Sequence, residues 1–456
     1  MSKIRFLNSF FDIKSKDDFK KTILLAICFF IALGSYTLIK ELKDFVFVII
    51  VGQKYLPDVK NISYLIMIPL IAIYAWLSSK LKKEHLLTVY SLIYGLGGLI
   101  SIYFLKNPII GIANNVSSPS RIFGWIFYLF SEGYSPFVVS VVWAFFNSIS
   151  TPKDVKTKYM IMTGASKLGG AIFAFFAWLL TLKFFNFSKN FDYIKSCTVI
   201  LTLASSGIFL VGILALFISF NFSNDQLKGY SEKIEEKNEK NNKSSFDFGF
   251  KSFFKYPYAM GIFGMVFFWE IVNVILNYMR IGVGLKESEN MLDFSAFLFK
   301  NAMLTHIAGF IMVSLGTVSL VRYFGERISL MLIPLLICGA VFVFLYFQSS
   351  QAIVLTYIFI RAVNYAFSYP LREALYIPTS TSIRFKTKSW IDSFGSKLSK
   401  ALGSFYNKLI QFMPVSFLQI FQISFFLIII ILWTTLTYFM GKRWEKAINK
   451  KEVIGN

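Results

Sequence analysis

Hydrophobic positions along this chain fall in long uninterrupted runs rather than in alternation. The runs at 23–39, 62–79, 196–220 and 417–440 approach or exceed the roughly 18–20 residues that a helix needs to cross a bilayer. Such runs predict helices near 22–52, 61–79, 86–105, 122–150, 158–182 and 195–220. Six more are predicted near 258–279, 294–320, 328–347, 351–377, 390–412 and 415–440. A helix satisfies its own backbone groups in hydrocarbon, whereas an open strand does not. The runs are too long, and alternate too little, for the strands of a transmembrane barrel. The pattern therefore predicts an all-α polytopic membrane protein.

Composition strengthens that reading. Of 456 residues 55% are hydrophobic and only 16% charged, more apolar surface than a soluble core can bury, so the partner solvent is a lipid bilayer. The formal charge of +22 would suggest nucleic acid in a soluble protein. Here the positive charges cluster in alternate loops, and no nucleic-acid partner is expected. Lys14, Lys16, Lys20 and Lys21 form one cluster, Lys80, Lys82 and Lys83 the next, and Lys153, Lys156 and Lys158 a third. The others are 228–255, Arg384/Lys386/Lys388 and the tail 442–451. Placing all of them on the cytoplasmic side requires an even number of helices with both termini inside. No small-residue cleavage site follows the first apolar run, which is expected to be a retained transmembrane helix. Cys28, Cys197 and Cys338 sit in apolar runs without metal-ligand spacing and are expected to be buried small hydrophobes.

A polar Lys/Glu/Asn-rich stretch divides the chain. It predicts an N-terminal six-helix half at 1–220, a cytoplasmic linker at 221–257 and a C-terminal six-helix half at 258–456. A shift of 230 residues lays Lys156-Thr157-Lys158 on Lys386-Thr387-Lys388 and Ser166-Lys167-Leu168 on Ser396-Lys397-Leu398 without a gap. A repeat in that place gives twelve helices in two related halves, the architecture of a major-facilitator transporter. Small residues follow at every fourth position, Ser166, Gly170 and Ala174 in one half and Gly395, Ser399 and Gly403 in the other. They mark either a sliding contact between halves or ordinary close packing of helices in lipid.

Ionisable groups at membrane depth cost a few kcal/mol at least, so each needs a partner, a cavity or a task. In the first helix Lys40, Lys43 and Asp44 share one face, either a functional anion site or a helix end reaching for water. Glu132 lies in the fourth helix, functional or interfacial. Glu270 lies mid-span in the seventh, with Asn273 and Asn277 on its side, and the 230-residue shift puts it at the place of Lys40. The tenth and eleventh helices carry Arg361, Asn364, Arg372, Glu373, Asp392, Lys397 and Lys400, and the fifth adds Lys167. Together these would line a cavity with positive charge suited to a polyanion with several phosphates. Tyr36, Trp143, Tyr365 and Trp390 lie at a depth to stack on a planar ring, with Asn273, Asn277 and Asn364 as candidate base or ribose contacts. His85 and His306 are isolated and are read as satisfied or interfacial. There is no GxxxxGK[ST] loop and no GxGxxG after a strand, so no nucleotide-hydrolysing engine, enzyme activity, cofactor or metal is expected.

Several segments resemble the non-mitochondrial ATP/ADP translocases of obligate intracellular bacteria, microsporidia and plastids. Leu42-Lys43-Asp44 is similar to the LKD segment of that family, and Glu132 with the stretch from Ser140 to Asn147 to its fourth-helix glutamate segment. Glu270 matches its seventh-helix glutamate. Arg372-Glu373-Ala374-Leu375-Tyr376-Ile377-Pro378 is close to the family's basic-Glu-x-x-Tyr-Ile-Pro, and Lys388, Ile391-Asp392 and Lys400 fall at the spacing of its K…ID…GKSGG. The resemblance implies that Lys43, Glu132, Glu270 and Lys400 bind or gate nucleotide. The implied function is exchange of ATP for ADP by two halves rocking about a central basic site. Lys40, Lys43, Lys167, Arg361, Lys397 and Lys400 would meet the phosphates, while Asp44, Glu132, Glu270, Glu373 and Asp392 would pair with lysines or gate. A monomer in the cytoplasmic membrane of an intracellular bacterium, with both termini inside, is expected. Thr379-Ser380-Thr381-Ser382, Ser399-Lys400-Ala401-Leu402-Gly403 and Pro136 depart from the family pattern. Proton-coupled import of nucleotides or another phosphorylated organic anion, and a transport-inactive scaffold or receptor, therefore stay open as alternatives.

Overall fold

The structure, a computed structural model, describes residues 15–114, 116–150, 152–182, 193–222, 255–315, 317–380, 383, 387–388 and 391–455. Most of the expected linker (223–254), together with Arg384, Lys386 and Trp390, lies outside the described residues. The first six rods are α1 (Lys16–Ile50), α2 (Leu56–Lys80), α3 (Lys83–Leu105), α4 (Ile122–Ser148), α5 (Pro152–Thr181) and α6 (Tyr193–Asn221). They continue as α7 (Pro257–Glu287), α8 (Met291–Leu315), α9 (Thr317–Phe347), α10 (Ser350–Leu375), α11 (391–409) and α12 (Val415–Asn449). Among the described residues eleven helices are long and apolar enough to cross a membrane. The twelfth, α11, is amphipathic, its apolar positions interleaved with Lys397, Lys400, Asn407 and Lys408. The described residues contain no strand beyond a single bridge between Thr379 and Ile454.

Several rods run past the apolar stretches that predict them, and the polar flanks explain it. α1 begins at Lys16 rather than 22 because Ser15 caps it, its hydroxyl accepting from the Asp18 amide at 3.1 Å, with Asp17 and Asp18 in the first turn. α7 runs to Glu287 rather than 279, so Arg280 lies inside the helix. α9 starts at Thr317 rather than 328, with a break at Gly325, whose φ of 72° suits a residue without a side chain.

Two helices carry a wide turn next to a proline. In α4 the Ser140 amide donates to the Ser135 carbonyl, five residues back, across the π segment Ser135–Val139. Pro136 has no N–H to offer the Glu132 carbonyl, which interrupts the regular ladder there. In α10 the Tyr369 amide donates to the Asn364 carbonyl across the π segment Asn364–Ser368, immediately before Pro370. α11 opens with a third such segment, Ile391–Gly395.

The chain forms two compact units that exchange short segments. One comprises Met1–Leu56, Ile66–Asn241 and Glu287–Ile307, and the other Pro57–Leu65, Asn242–Lys286 and Ala308–Asn456. In the first unit α1 packs against α4, α5 and α6, and α3 against α6. Residues 41–51 of α1 are buried on every face. The approach is close because glycines face backbone or small side chains. A Cβ on Gly169 of α5 would lie 2.0 Å from the Phe30 carbonyl oxygen, and one on Gly98 of α3 would lie 2.2 Å from the Ser205 hydroxyl. Beside Gly169, Gly170 seats the His306 ring, whose Nε2 is hydrogen-bonded to the Thr37 hydroxyl at 2.9 Å.

In the second unit α9 packs against α10 and α12, and Trp433, Ile360, Ile275 and Phe426 sit in one apolar core. Gly403 of α11 rests on Val274 and Ile271 of α7, so at this position the small-residue stripe packs two helices of one unit. The end of α10 is closed by side chains that take its last carbonyls. The Tyr258 hydroxyl donates to Leu375 O at 2.9 Å, and Trp444 Nε1 donates to Ala374 O at 3.1 Å. The Ile454 amide donates to Pro378 O at 2.7 Å, tying the chain's end to the loop after α10.

Gly169→Ala is expected to force α1 and α5 apart and to destabilise the protein by about 1–3 kcal/mol. Thermal unfolding in detergent reads this out; an unchanged midpoint would mean that the two helices are not in backbone contact there.

Candidate functional site

The charges planted in the helices are answered by polar groups of neighbouring helices. In the first unit the pentad from Lys40 to Asp44 is not a helix end reaching for water: Glu41, Lys43 and Asp44 are all buried. Lys43 Nζ lies 2.6 Å from Glu132 of α4 and 3.5 Å from Asp44, and donates to the Tyr128 hydroxyl at 3.1 Å. The same ammonium stands 4.1 Å from the centroid of the Tyr128 ring. Lys40 pairs with Glu41 at 2.6 Å. Lys167 of α5 is buried, and Tyr36 stacks on Tyr134 at 5.8 Å, the Tyr134 hydroxyl donating to Ala32 O at 3.0 Å. Trp143 packs edge-on against Phe29 at 4.4 Å.

In the second unit Glu270 of α7 accepts from the Ser396 hydroxyl at 3.0 Å and lies 3.6 Å from Lys400 Nζ, both on α11. One turn further along α7, Asn273 accepts from Arg361 Nη1 of α10 at 3.2 Å. Arg361 also donates to the hydroxyls of Tyr357, at 3.3 Å, and of Tyr365. Another turn along, Asn277 accepts from Arg280 Nη2 at 3.1 Å, and the guanidinium carbon of Arg280 stands 4.6 Å from the centroid of the Tyr357 ring. Arg280 is fully buried. Lys397 lies 5.8 Å from the centroid of Tyr64 in the part of α2 that belongs to this unit.

Other candidates stand apart from these clusters. Glu373 is paired with Lys388, and Asp392 is exposed at the start of α11. Asn364 opens the α10 π segment, and its Oδ1 is buried without a hydrogen-bond partner among the described residues. Lys40 and Glu270, which share a place in the repeat, take partners inside their own units, Glu41 in one case and Lys400 with Ser396 in the other.

Five residues of the clusters escaped the sequence reading: Glu41, Tyr128, Arg280, Tyr357 and Ser396. Arg280 fell just beyond the predicted end of its helix. The tyrosines were masked by the 18% aromatic content. A comparison of α4 with α10 carries the missing signal, because Tyr128 and Tyr357 each precede a charged residue, Glu132 or Arg361, by four positions and a π segment by seven.

The arrangement holds several cations in a low-dielectric interior, each beside an acid or a neutral acceptor, and such groups can exchange those acceptors for the oxygens of an anion. A family model described as TLC ATP/ADP transporter matches residues 120–444, from just before α4 into α12. The chain belongs to the TLC ATP/ADP transporter family. It is thus a membrane transporter from a nucleotide-transporting family and not an enzyme. Glu132, Glu270, Arg361 and Lys400 lie inside the matched stretch, while Lys40 and Lys43 precede it. The chain has no match among the curated proteins.

Solved structures show the fold. A D-xylose–proton symporter matches with a TM-score of 0.63 at 10% identity, covering 93% of this chain and 97% of its own. The inward-open xylose transporter XylE from E. coli gives 0.59 at 11% identity, covering 94% and 95%. The nucleoside transporter NupG gives 0.51 at 14% identity, covering 93% and 98%. At these identities the likeness concerns architecture alone, and the architecture is the twelve-helix major facilitator fold.

The Lys43–Glu132 pair generates a stability prediction. Glu132→Gln leaves Lys43 buried without its nearest carboxylate and is expected to cost roughly 3–5 kcal/mol. The double variant Lys43→Met/Glu132→Leu is expected to cost less than either single change, because it removes both charges together. Unfolding midpoints of the wild type, Lys43→Met, Glu132→Leu and the double variant in one detergent measure this; strictly additive losses would mean that the pair is not coupled.

Proposed function

We propose that the protein exchanges ATP for ADP across the membrane by alternating access, with Lys40, Lys43, Lys167, Arg361, Lys397 and Lys400 as the groups that meet phosphate. The observation that carries this reading is the set of internally compensated cations, Lys43 with Glu132 and Lys400 with Glu270, in a chain of the ATP/ADP transporter family. Between substrates the acids neutralise the lysines. When a polyphosphate arrives, its oxygens take their place, so a buried charge is never left alone. Asp44, Glu373 and Asp392 would gate or pair in the same way, and Tyr36, Asn273, Asn277 and Asn364 would contact base or ribose. The reading includes two six-helix halves, 1–220 and 258–456, around a cytoplasmic linker. It also includes a monomeric state and the cytoplasmic membrane of an intracellular bacterium, with both termini inside.

A second reading is proton-coupled import of nucleotides or of another phosphorylated organic anion.

Uptake of labelled ATP into liposomes, with and without internal ADP and at two proton gradients, separates the two. Exchange predicts uptake that rises at least about tenfold with internal ADP and ignores the gradient. Uptake that follows the gradient and not internal ADP would replace exchange by proton coupling. Lys400→Gln and Glu270→Gln are each expected to reduce exchange by about tenfold or more while circular dichroism stays unchanged. Full activity in both variants would remove this pair from the transport cycle.

A further inference from the structure

α12 changes character without ending. Its apolar run stops at Met440, yet the helix continues to Asn449, and 442–452 carries five cations, Lys442, Arg443, Lys446, Lys450 and Lys451, against Glu445 and Glu452. In the apolar part the residues that stay exposed recur at helical spacing: Ile428 is 58% exposed, Leu432 52% and Phe439 60%. Only 22% of the apolar eighteen-residue stretch of this helix is buried, against 61% for that of α7, so this face looks onto acyl chains. The same spacing continued into the polar extension gives Lys442, Lys446 and Lys450, all exposed.

Other charges of the extension are answered within the protein. Arg443 donates through Nη1 and Nη2 to the Glu452 carboxylate, at 2.8 and 2.5 Å. Glu445 lies 3.5 Å from Arg327 of α9, whose guanidinium carbon stands 4.6 Å from the centroid of Tyr438. On the packed side Trp444 and Ala447 are buried, and Trp444 Nε1 reaches Ala374 O at the end of α10. The extension is thus an arm fastened to α9 and α10, and it carries three lysines on successive turns in a fixed row. One turn before Arg327, α9 exposes Tyr323 at 84% and Phe324 at 52%, aromatic residues of the kind that settle at headgroup level.

We propose that this face of α12 binds an anionic phospholipid, with an acyl chain along Leu432 and Phe439, the phosphate against Lys442 and Lys446, and Lys450 adding attraction one turn further out. The order of chemistry along the face, apolar then cationic, is complementary to that of the lipid. Leu432 to Lys442 spans about 15 Å at about 1.5 Å per residue, which is one leaflet's share of a hydrocarbon core about 30 Å thick. Lysine suits a headgroup that turns and exchanges, because it offers a point charge on a flexible stem where arginine asks for a set geometry. That stem can lie against the apolar end of the helix while the ammonium stays at the phosphate layer. A free phosphate would meet the lysines alone and use nothing of the apolar face beside them.

The test titrates the purified full-length protein, in micelles of a neutral detergent, with phosphatidylglycerol or phosphatidylcholine and reads the thermal unfolding midpoint. Phosphatidylglycerol is expected to stabilise at a concentration about tenfold lower, and its advantage to shrink in high salt. Each lysine at an anionic surface contributes about fivefold, so Lys442→Gln/Lys446→Gln/Lys450→Gln is expected to weaken phosphatidylglycerol by about tenfold to hundredfold and leave phosphatidylcholine within about twofold. Lys446→Gln alone, a single exposed change, is expected to weaken it about fivefold. Lys20→Gln/Lys80→Gln/Lys82→Gln removes the same charge from exposed lysines elsewhere and is expected to keep the preference. Equal action of both lipids on the wild type, a preference undiminished in the α12 variants, or one lost equally in the control variant overturns the proposal. Protection by inorganic phosphate that matches phosphatidylglycerol and disappears in the α12 triple variant replaces the lipid by a free anion and overturns it as well.

Discussion

An ion inside a chain solvated by lipid has to be answered by another polar group of the same chain. The hydrocarbon offers it nothing. That constraint ties the helices together here. Lys43 joins α1 to α4 through Glu132 and Tyr128, Glu270 joins α7 to α11 through Ser396 and Lys400, and Arg361 joins α10 to α7 through Asn273. The first helix of each half is thus bonded to the helix three further along. Buried ion pairs are poor stabilisers compared with well-packed hydrocarbon of the same volume. A chain with 55% hydrophobic residues has no shortage of hydrocarbon, so stability is not a sufficient reason to keep these pairs. Transport of a charged solute supplies one.

Such short polar bonds need helices that approach closely and side chains aimed with some precision. Glycine provides the approach, as where Gly169 meets the Phe30 carbonyl and Gly403 meets Ile271. Proline and the wide turns influence the aim. Glu132 and Arg361 each stand three residues before a π segment, where the regular ladder is interrupted and the local helix phase shifts. A helix with an unbroken ladder would present residues before and after that point at a different relative angle. The departure of Pro136 from the family pattern thus sits where α4 changes phase, one turn beyond its only glutamate.

The rods were legible in the sequence because a lipid-solvated helix asks for little beyond length and apolar composition. The charges were legible because an ion in such a run is conspicuous. Their partners were not. Glu41 was passed over as the second member of a charged pentad, and Tyr128, Tyr357 and Ser396 are ordinary residues whose meaning depends on which helix lies opposite. Arg280 illustrates the limit. Hydropathy ended the seventh helix at 279 because a charge ends an apolar run, yet the helix continues since Asn277 and the face of Tyr357 receive that charge. The exchange of 57–65 and 287–307 between compact units is likewise a property of long-range packing, to which periodicity along one helix is blind.

The repeat adds a step that neither unit gives alone. A duplicated frame of tyrosine, charged residue and wide turn would bind the same thing twice if its charges were kept. Here the position four residues after the tyrosine is an acid in one copy and a guanidinium in the other. The copy holding Lys43 is self-neutralised, so an anion gains there only what remains after the pair with Glu132 is broken. In the copy holding Arg361 the guanidinium donates to Asn273, Tyr357 and Tyr365. A carrier must bind its solute firmly enough to select it and loosely enough to let it go. Under the proposed function Glu132 serves the second need, as a competitor that can reclaim Lys43 when the phosphate departs.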